Sequence, residues 1–473
     1  MTPFEEVMAV RGKGMPADGE VLITGADPVF STKFKIGETC AAVLSGIGVA
    51  VTDIWELKTG RRQKAAIDVR RAAAALRSTT YMQRLGANGG WEQIVNRKHE
   101  DMTKITQPWP TKDGRWVLPH FGLPNLQARM CQLLDCEPNP DSVGKAVIKW
   151  DALDLEAAID EHRVCGGMVR SNTEWLESEH GKVLAAKPIV EIIKIGDSDP
   201  EPFSEGDRPL SGIKALDLTR ILAGPIAART LAEHGAEVLM VTAERLPQIA
   251  EHVIDTSHGK RSCFLDLSEA KQVDRLKALV KEVDVFSQGY RPGMIEQLGF
   301  GAAALAQLRP GIVCVSINCY GADGPFSHRG GWEQVAQTMT GICNEGSPER
   351  PKLLPAAACD YTTGYLAAYG ALLALVQRAT EGGSYHVRVS LCQSGMFIYR
   401  QGSVVCNTPN LDLSDKELAD LRIETQPKAG PLRHLGPVLH LSETPPRWIR
   451  PTPVLGGDAP DWPQAGATAT AAE

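Results

Sequence analysis

The sequence predicts an α/β fold in which a parallel-sheet domain is accompanied by a second, smaller α+β domain. From Ile213 onward, apolar β-branched runs alternate with helical runs. Upstream of that alternation, "IGDSDPEPFSEGDRPLSG" (Ile195 to Gly212) replaces apolar periodicity with acids, proline and glycine, the composition of an exposed linker. Further upstream still, a hairpin signal is followed by amphipathic helices.

The elements follow in order. "IKALDLT" reads as a buried strand, "AGPIAARTLAEHGA" as a helix closed by glycine and "EVLMVT" as a second strand, which together open a βαβ unit. "VDRLKALVKEV" is helical, "DVFSQG" a short strand ending in a turn, "AAALAQLRP" a helix and "GIVCVSIN" an apolar strand. The economical reading is a Rossmann-like parallel sheet with covering helices. No GxGxxG follows the first strand, which sets a dinucleotide dehydrogenase aside. Before the linker, "WPTKDGRWVLPHFGLPNLQARMCQLLD" predicts a hairpin turning at Lys112-Asp113-Gly114 and then a helix, and "LDLEAAIDEHRV" and "SNTEWLESEHGKVLAA" read as amphipathic helices. The domain limits expected are 1–200, 201–409 and a proline- and turn-rich tail, 410–473, with "APDWPQAGATATAAE" disordered at its end.

A helix, turn, strand, helix order near residues 36–76 recurs in "TGYLAAYGALLALVQRATEGGSYHVRVSLCQSGMF", with Gly37 set against Gly364 and Ile67–Arg70 against Val387–Ser390. This registers as an internal duplication, or as convergent use of the same patterns.

The chain has 473 residues, 43% hydrophobic and 23% charged, with a formal net charge of -7. Nucleic acid or an anionic membrane would want a clustered basic excess, so neither is an expected partner. No uninterrupted run of about 18 apolar residues occurs and the amino terminus has acids where a signal peptide would have its apolar centre, from which a cytoplasmic protein is expected. Eleven scattered cysteines, without CxxC or zinc-like spacing, suit reduced buried thiols, and neither a disulfide frame nor a metal site is expected.

Asp360, in "PAAACDYTTGYLAAYGALLALV", is an acid among small apolar residues at the head of a helical pattern. It reads as a helix N-cap, as a nucleophile kept ionised by the helix terminus, or as both. An apolar collar raises its pKa, so cap and collar oppose each other.

These residues carry a resemblance. "LSGIKALDLTRILAGPIAARTLAEHGAEVLMV", "GKRSCFLDLS", "QGYRPGMIEQLGF", "SINCYGADGPFSHRGGWEQVAQTMTG" and "PAAACDYTTGYLAAYGALLAL" follow one another as in the family III CoA-transferases, the formyl-CoA transferase and carnitine CoA-transferase group, from Leu210 to about Phe397. The resemblance implies that Asp360 attacks an acyl-CoA thioester to give a mixed anhydride, which CoA thiolate converts to an enzyme thioester before an acceptor acid completes the exchange. It implies that Glu333 lies beside the acyl group, in a positioning or electrostatic role. It places CoA against Leu222 and Ala223, against Leu265, Asp266, Leu267 and Ser268, against Gly289, Tyr290 and Arg291, and against Gly331 and Trp332. Lys260 and Arg261 are candidate phosphate ligands or plain surface cations, and Arg291 is the better candidate because its guanidinium binds bidentately. CoA and acyl-CoA are implied as substrates, with a small carboxylic acid as the other, no tightly bound cofactor, and a homodimer.

The chain departs from that pattern. Small-domain signals precede the Asp-bearing half instead of following it, as in a permuted or fused enzyme. "KFKIG" stands where the later copy has "DYTTG", which puts Lys33 at the place of Asp360, with Asp27 available under a shifted alignment. Gln297 and Ser268 replace cations, and "NRKHEDMTKITQPW" takes the place of a glycine-rich active-site loop. The alternatives are an acyl-CoA racemase of the same superfamily, whose His would fall at Trp332, and a non-catalytic CoA-binding protein.

Overall fold

A computed structural model describes residues 1–347 and 349–463. The expected disorder of the last residues concerns 464–473, outside the described residues.

The α/β expectation holds. The main sheet has seven strands in the spatial order Lys260–Phe264, Glu237–Thr242, Lys214–Leu218, Val285–Gln288, Val313–Asn318, Ser384–Ser390, Glu191–Gly196. Six are parallel, and Glu191–Gly196 closes the edge antiparallel to Ser384–Ser390. That edge strand reaches back across the proline-rich linker, so the sheet takes one strand from the upstream region. The chain runs outward in both directions from Lys214–Leu218 and Val285–Gln288. Such a switch point leaves a crevice outside the carboxyl ends of the two strands.

Helix Ala358–Glu381 packs across this sheet and against helix Ala223–Glu233. Gly364 permits that approach, because a Cβ there would lie 2.4 Å from the Ala223 carbonyl oxygen. The helix stops at Gly382 and Gly383, both at positive φ. Helix Ile36–Thr59, which lies along it, is also 24 residues long and also ends at a left-handed glycine, Gly60. It has the length and hydropathy of a membrane span, yet 89% of that window is buried inside the protein. The strand after it, Ala65–Asp68, pairs in parallel with Val21–Thr24, as Ser384–Ser390 pairs with Val313–Asn318.

Matching the two helices at their first residues corrects the register read from the sequence. Both are 24 residues long, so the match needs no gap, and Asp360 then corresponds to Glu38 instead of Lys33. Lys33 lies before its helix and pairs with Glu345 at 2.6 Å. Asp27 accepts the Glu38 N–H at 2.8 Å and so caps the earlier helix from outside it.

Upstream, Trp109–Pro110, Trp116–His120 and Cys165–Met168 form a small antiparallel sheet. Its hairpin turns where expected: Gly114 has φ +77°, and Asp113 accepts the Thr111 hydroxyl at 2.6 Å.

Lys260 corrects the expectation of a phosphate ligand. Its ammonium is fully buried, donating to Asp217 at 2.7 Å and to the Pro225 carbonyl at 2.8 Å. Asp217 also accepts the Thr219 N–H at 3.0 Å, so the pair fixes the turn that leaves strand Lys214–Leu218. Lys260→Met should cost about 3–5 kcal/mol in urea denaturation, because it strands a buried carboxylate; a loss under about 1 kcal/mol would mean the pair is solvated.

Candidate active site

A cleft of 310 Å³ opens at the switch point. Its floor is the turn Thr219–Gly224, and Gly289–Pro292, which follow strand Val285–Gln288, and the end of strand Val313–Asn318 form one wall. Leu123, Leu126 and Cys165, from the small upstream sheet and its helix, close the other. The structure therefore brings Leu222, Ala223, Gly289, Tyr290, Arg291, Gly331, Trp332 and Asp360 to one cavity. Ile221 turns that floor at φ +76°, a left-handed conformation that costs a β-branched residue about 1–3 kcal/mol.

Leu265, Asp266, Leu267 and Ser268 follow the outermost parallel strand and do not line the cleft. Asp266 there accepts Arg245 at 2.6 Å and the Ser268 N–H at 2.9 Å. Arg261 is also outside, held by Asp461 at 3.0 Å and Asp458 at 3.5 Å.

Asp360 is the third residue of its helix, not the N-cap, which is Ala357. The cap comes from elsewhere: Glu333 accepts the Asp360 N–H at 2.5 Å and the Cys359 N–H at 3.1 Å, with the Gln337 amide donating to it at 2.5 Å. Glu333 is thereby the acceptor that serves the helix terminus, and the Asp360 side chain is released from that duty. Burial pushes Glu333 up to about 7 against the pull of these donors. Burial, and then the Glu333 charge, push Asp360 well above the ordinary carboxylate range. With the donors on its side, Glu333 is the better placed of the two to stay ionised. The Asp360 carboxyl accepts no hydrogen bond among the described residues and is 8% exposed.

A second cavity, also of 310 Å³, meets the first at Asp360, and Ile221, Leu222, Trp332 and Asp360 line both. Residues that sequence reasoning missed stand in it. His120 stacks on Trp332 with ring centroids 4.7 Å apart, accepts the Gly122 N–H on Nδ1 and meets Gln334 through Nε2 at 3.0 Å. Burial holds it neutral, with a pKa near 4. "NRKHEDMTKI" forms helix Arg97–Ile105, and its His99, Met102 and Thr103 wall this cavity where a glycine-rich loop was looked for. Arg220 was also missed. It lines the cleft with no acidic partner among the described residues, and its Nε lacks an acceptor. Arg329, in the same wall, is spent on Glu156 and Asp160. His328 pairs with Asp160 and is absent from both linings.

Fold and site together define a doubly wound α/β protein with an unpartnered carboxyl in its switch-point crevice. Residues 210–405 match the family model described as CoA-transferase family III. An acetyl-coenzyme A transferase, nodX, of Hypoxylon pulicicidum is 35% identical over 325 residues, 63% of this chain and 54% of the relative. The succinyl-CoA:glutarate CoA-transferase of Mus musculus is 33% identical over 41% of this chain and 48% of its own. The crystal structure of a CAIB/BAIF family protein from Brucella suis is 28% identical, with a TM-score of 0.38, over 40% of this chain and 55% of that one. The chain spans about half the length of the curated relatives it matches.

Proposed function

We propose that the protein moves CoA from an acyl-CoA to a carboxylic acid, with Asp360 as the nucleophile and CoA as a substrate, not a resident cofactor. One observation carries the reading: the Asp360 carboxyl, unpartnered at the head of a helix, stands where two cavities meet. The Asp360 oxygen attacks the thioester carbonyl and CoA leaves as thiolate, giving a mixed anhydride. The thiolate attacks the Asp360 carbonyl, releasing the donor acid and leaving an aspartyl-CoA thioester. The acceptor carboxylate then displaces CoA at Asp360, and the thiolate takes the acceptor acyl group, returning the carboxylate. Low exposure at Asp360 limits loss of the anhydride to water.

The cleft with Gly289–Arg291 is the CoA side, since Arg220 and Arg291 are the cations there with no acidic partner among the described residues. Arg291→Ala should raise the KM for acyl-CoA about 10- to 100-fold with kcat little changed, as loss of a charge-assisted bond to phosphate; an unchanged KM would remove Arg291 from the CoA site.

The racemase alternative needs a second base beside Asp360. His120 is near, but both of its ring nitrogens are engaged. Incubation of the protein with an acyl-CoA and an isotope-labelled carboxylic acid should yield labelled acyl-CoA. Entry of solvent deuterium at the α-carbon, without exchange of CoA, would favour the racemase.

A further inference from the structure

We infer that the second cavity holds the acyl group and the acceptor acid, and that this group is a bulky, uncharged body, so that the acids exchanged are monocarboxylic. This rests on Asp360 being the acylated residue.

The 310 Å³ beyond Asp360 is the size of a pocket for a ligand well above a two- or four-carbon acid. Leu76, Met102, Ile249, Leu353 and Leu354 supply apolar wall, and Thr79, Thr80 and Gln337 supply neutral polar groups. What the wall lacks is an uncommitted cation. Arg77 is its sole lysine or arginine and is bound to Asp412 at 2.6 Å. His120 is buried and His252 half-buried, and desolvation holds both neutral, near 4 and near 3. His99 faces Glu251 at 3.7 Å, so it already has an acidic partner. Asp360 and Glu333 already bring acid to the cavity mouth. A second carboxylate on the substrate would enter a partly dehydrated space with like charge ahead of it and no counter-ion, at a cost of several kcal/mol. A hydroxyl or keto group has partners in the threonine hydroxyls. Relatives named for glutarate or malate transfer handle acids with two carboxylates, and this wall is unsuited to them.

The test compares acyl-CoA substrates of matched length on the full chain: decanoyl-CoA against the CoA ester of decanedioic acid, with acetyl-CoA as the short control, each read by kcat/KM for exchange and by peptide mass mapping of Asp360. The monocarboxylic ester should be favoured at least about 100-fold over its dicarboxylic counterpart, with acetyl-CoA slower than decanoyl-CoA. Thr79→Lys, which adds a cation to the wall, should narrow the first ratio at least about tenfold. Equal or better use of the dicarboxylic ester, with Asp360 labelled, overturns the inference and leaves the transferase reading standing. Labelling of Asp360 by none of the three contradicts the transferase reading and takes this inference with it.

Discussion

Asp360→Asn abolishes CoA exchange, by at least about 10³-fold, while the protein folds and gains stability over the wild type as pH rises. The first effect follows from removing the only oxygen nucleophile that the protein itself contributes to the proposed exchange. The second follows from linkage. A carboxyl whose folded pKa is raised above its unfolded value supports folding below the unfolded pKa and loses that support as pH climbs through the folded pKa. Asp360 is such a group, raised by burial and by Glu333. The neutral amide escapes the loss, so the melting temperature of the variant should exceed that of the wild type by a margin that widens toward alkaline pH. Thermal unfolding of both proteins across the neutral range checks this. A constant margin would mean that Asp360 is ordinarily ionised in the folded protein, and retained exchange would dismiss it as the nucleophile.

Glu333→Gln moves the acid limb of kcat/KM to lower pH and weakens the fold. Glu333 sits against the Asp360 N–H, and its charge is the second cause of the raised Asp360 pKa. Without that charge the Asp360 carboxyl ionises more readily, so the free enzyme becomes competent at lower pH. The glutamine has one oxygen where the Glu333 carboxyl group has two to face Cys359, Asp360 and Gln337, and a cap of the 358–381 helix is impaired. About 1–3 kcal/mol of stability should be lost at pH 6, where both proteins are compared below the Glu333 pKa near 7. An unmoved acid limb with the same stability loss would confine Glu333 to a structural role.

Local signals found most of the sheet and little of the site's electrostatics. The parallel strands from Lys214 to Asn318, the hairpin at Lys112–Gly114 and the helix stop after Glu381 were all written in short-range patterns of apolar period and glycine. Remote capping was not. Asp360 reads as an N-cap because it precedes an apolar helical run, but the acceptor that serves that helix is 27 residues earlier in Glu333, and a chain-distant Asp27 does the same for Ile36–Thr59. Side-chain pairing between separate elements leaves no periodic trace. Lys260 was misread for a related reason, since a cation near a strand start looks solvent-facing until its partner is known. The clue was Asp217, an acid inside the buried run "ALDL" that needed a counter-charge. The second cavity is built from Leu76–Thr80, helix Arg97–Ile105 and Leu353–Ala357, pieces that only the tertiary fold brings together. Likewise the match of Glu38 to Asp360 became visible only once both helix starts were fixed, because the glycines used to align the sequences lie at different turns.

The claim on which the rest depends is that Asp360 becomes covalently acylated and then carries CoA. Incubation with acyl-CoA, trapping by hydroxylamine or borohydride, and peptide mass mapping test it most directly. The account predicts a modification on the peptide bearing Asp360, at that residue, absent from Asp360→Ala. A modification at any other residue, or turnover of acyl-CoA with Asp360 unmodified, would contradict it.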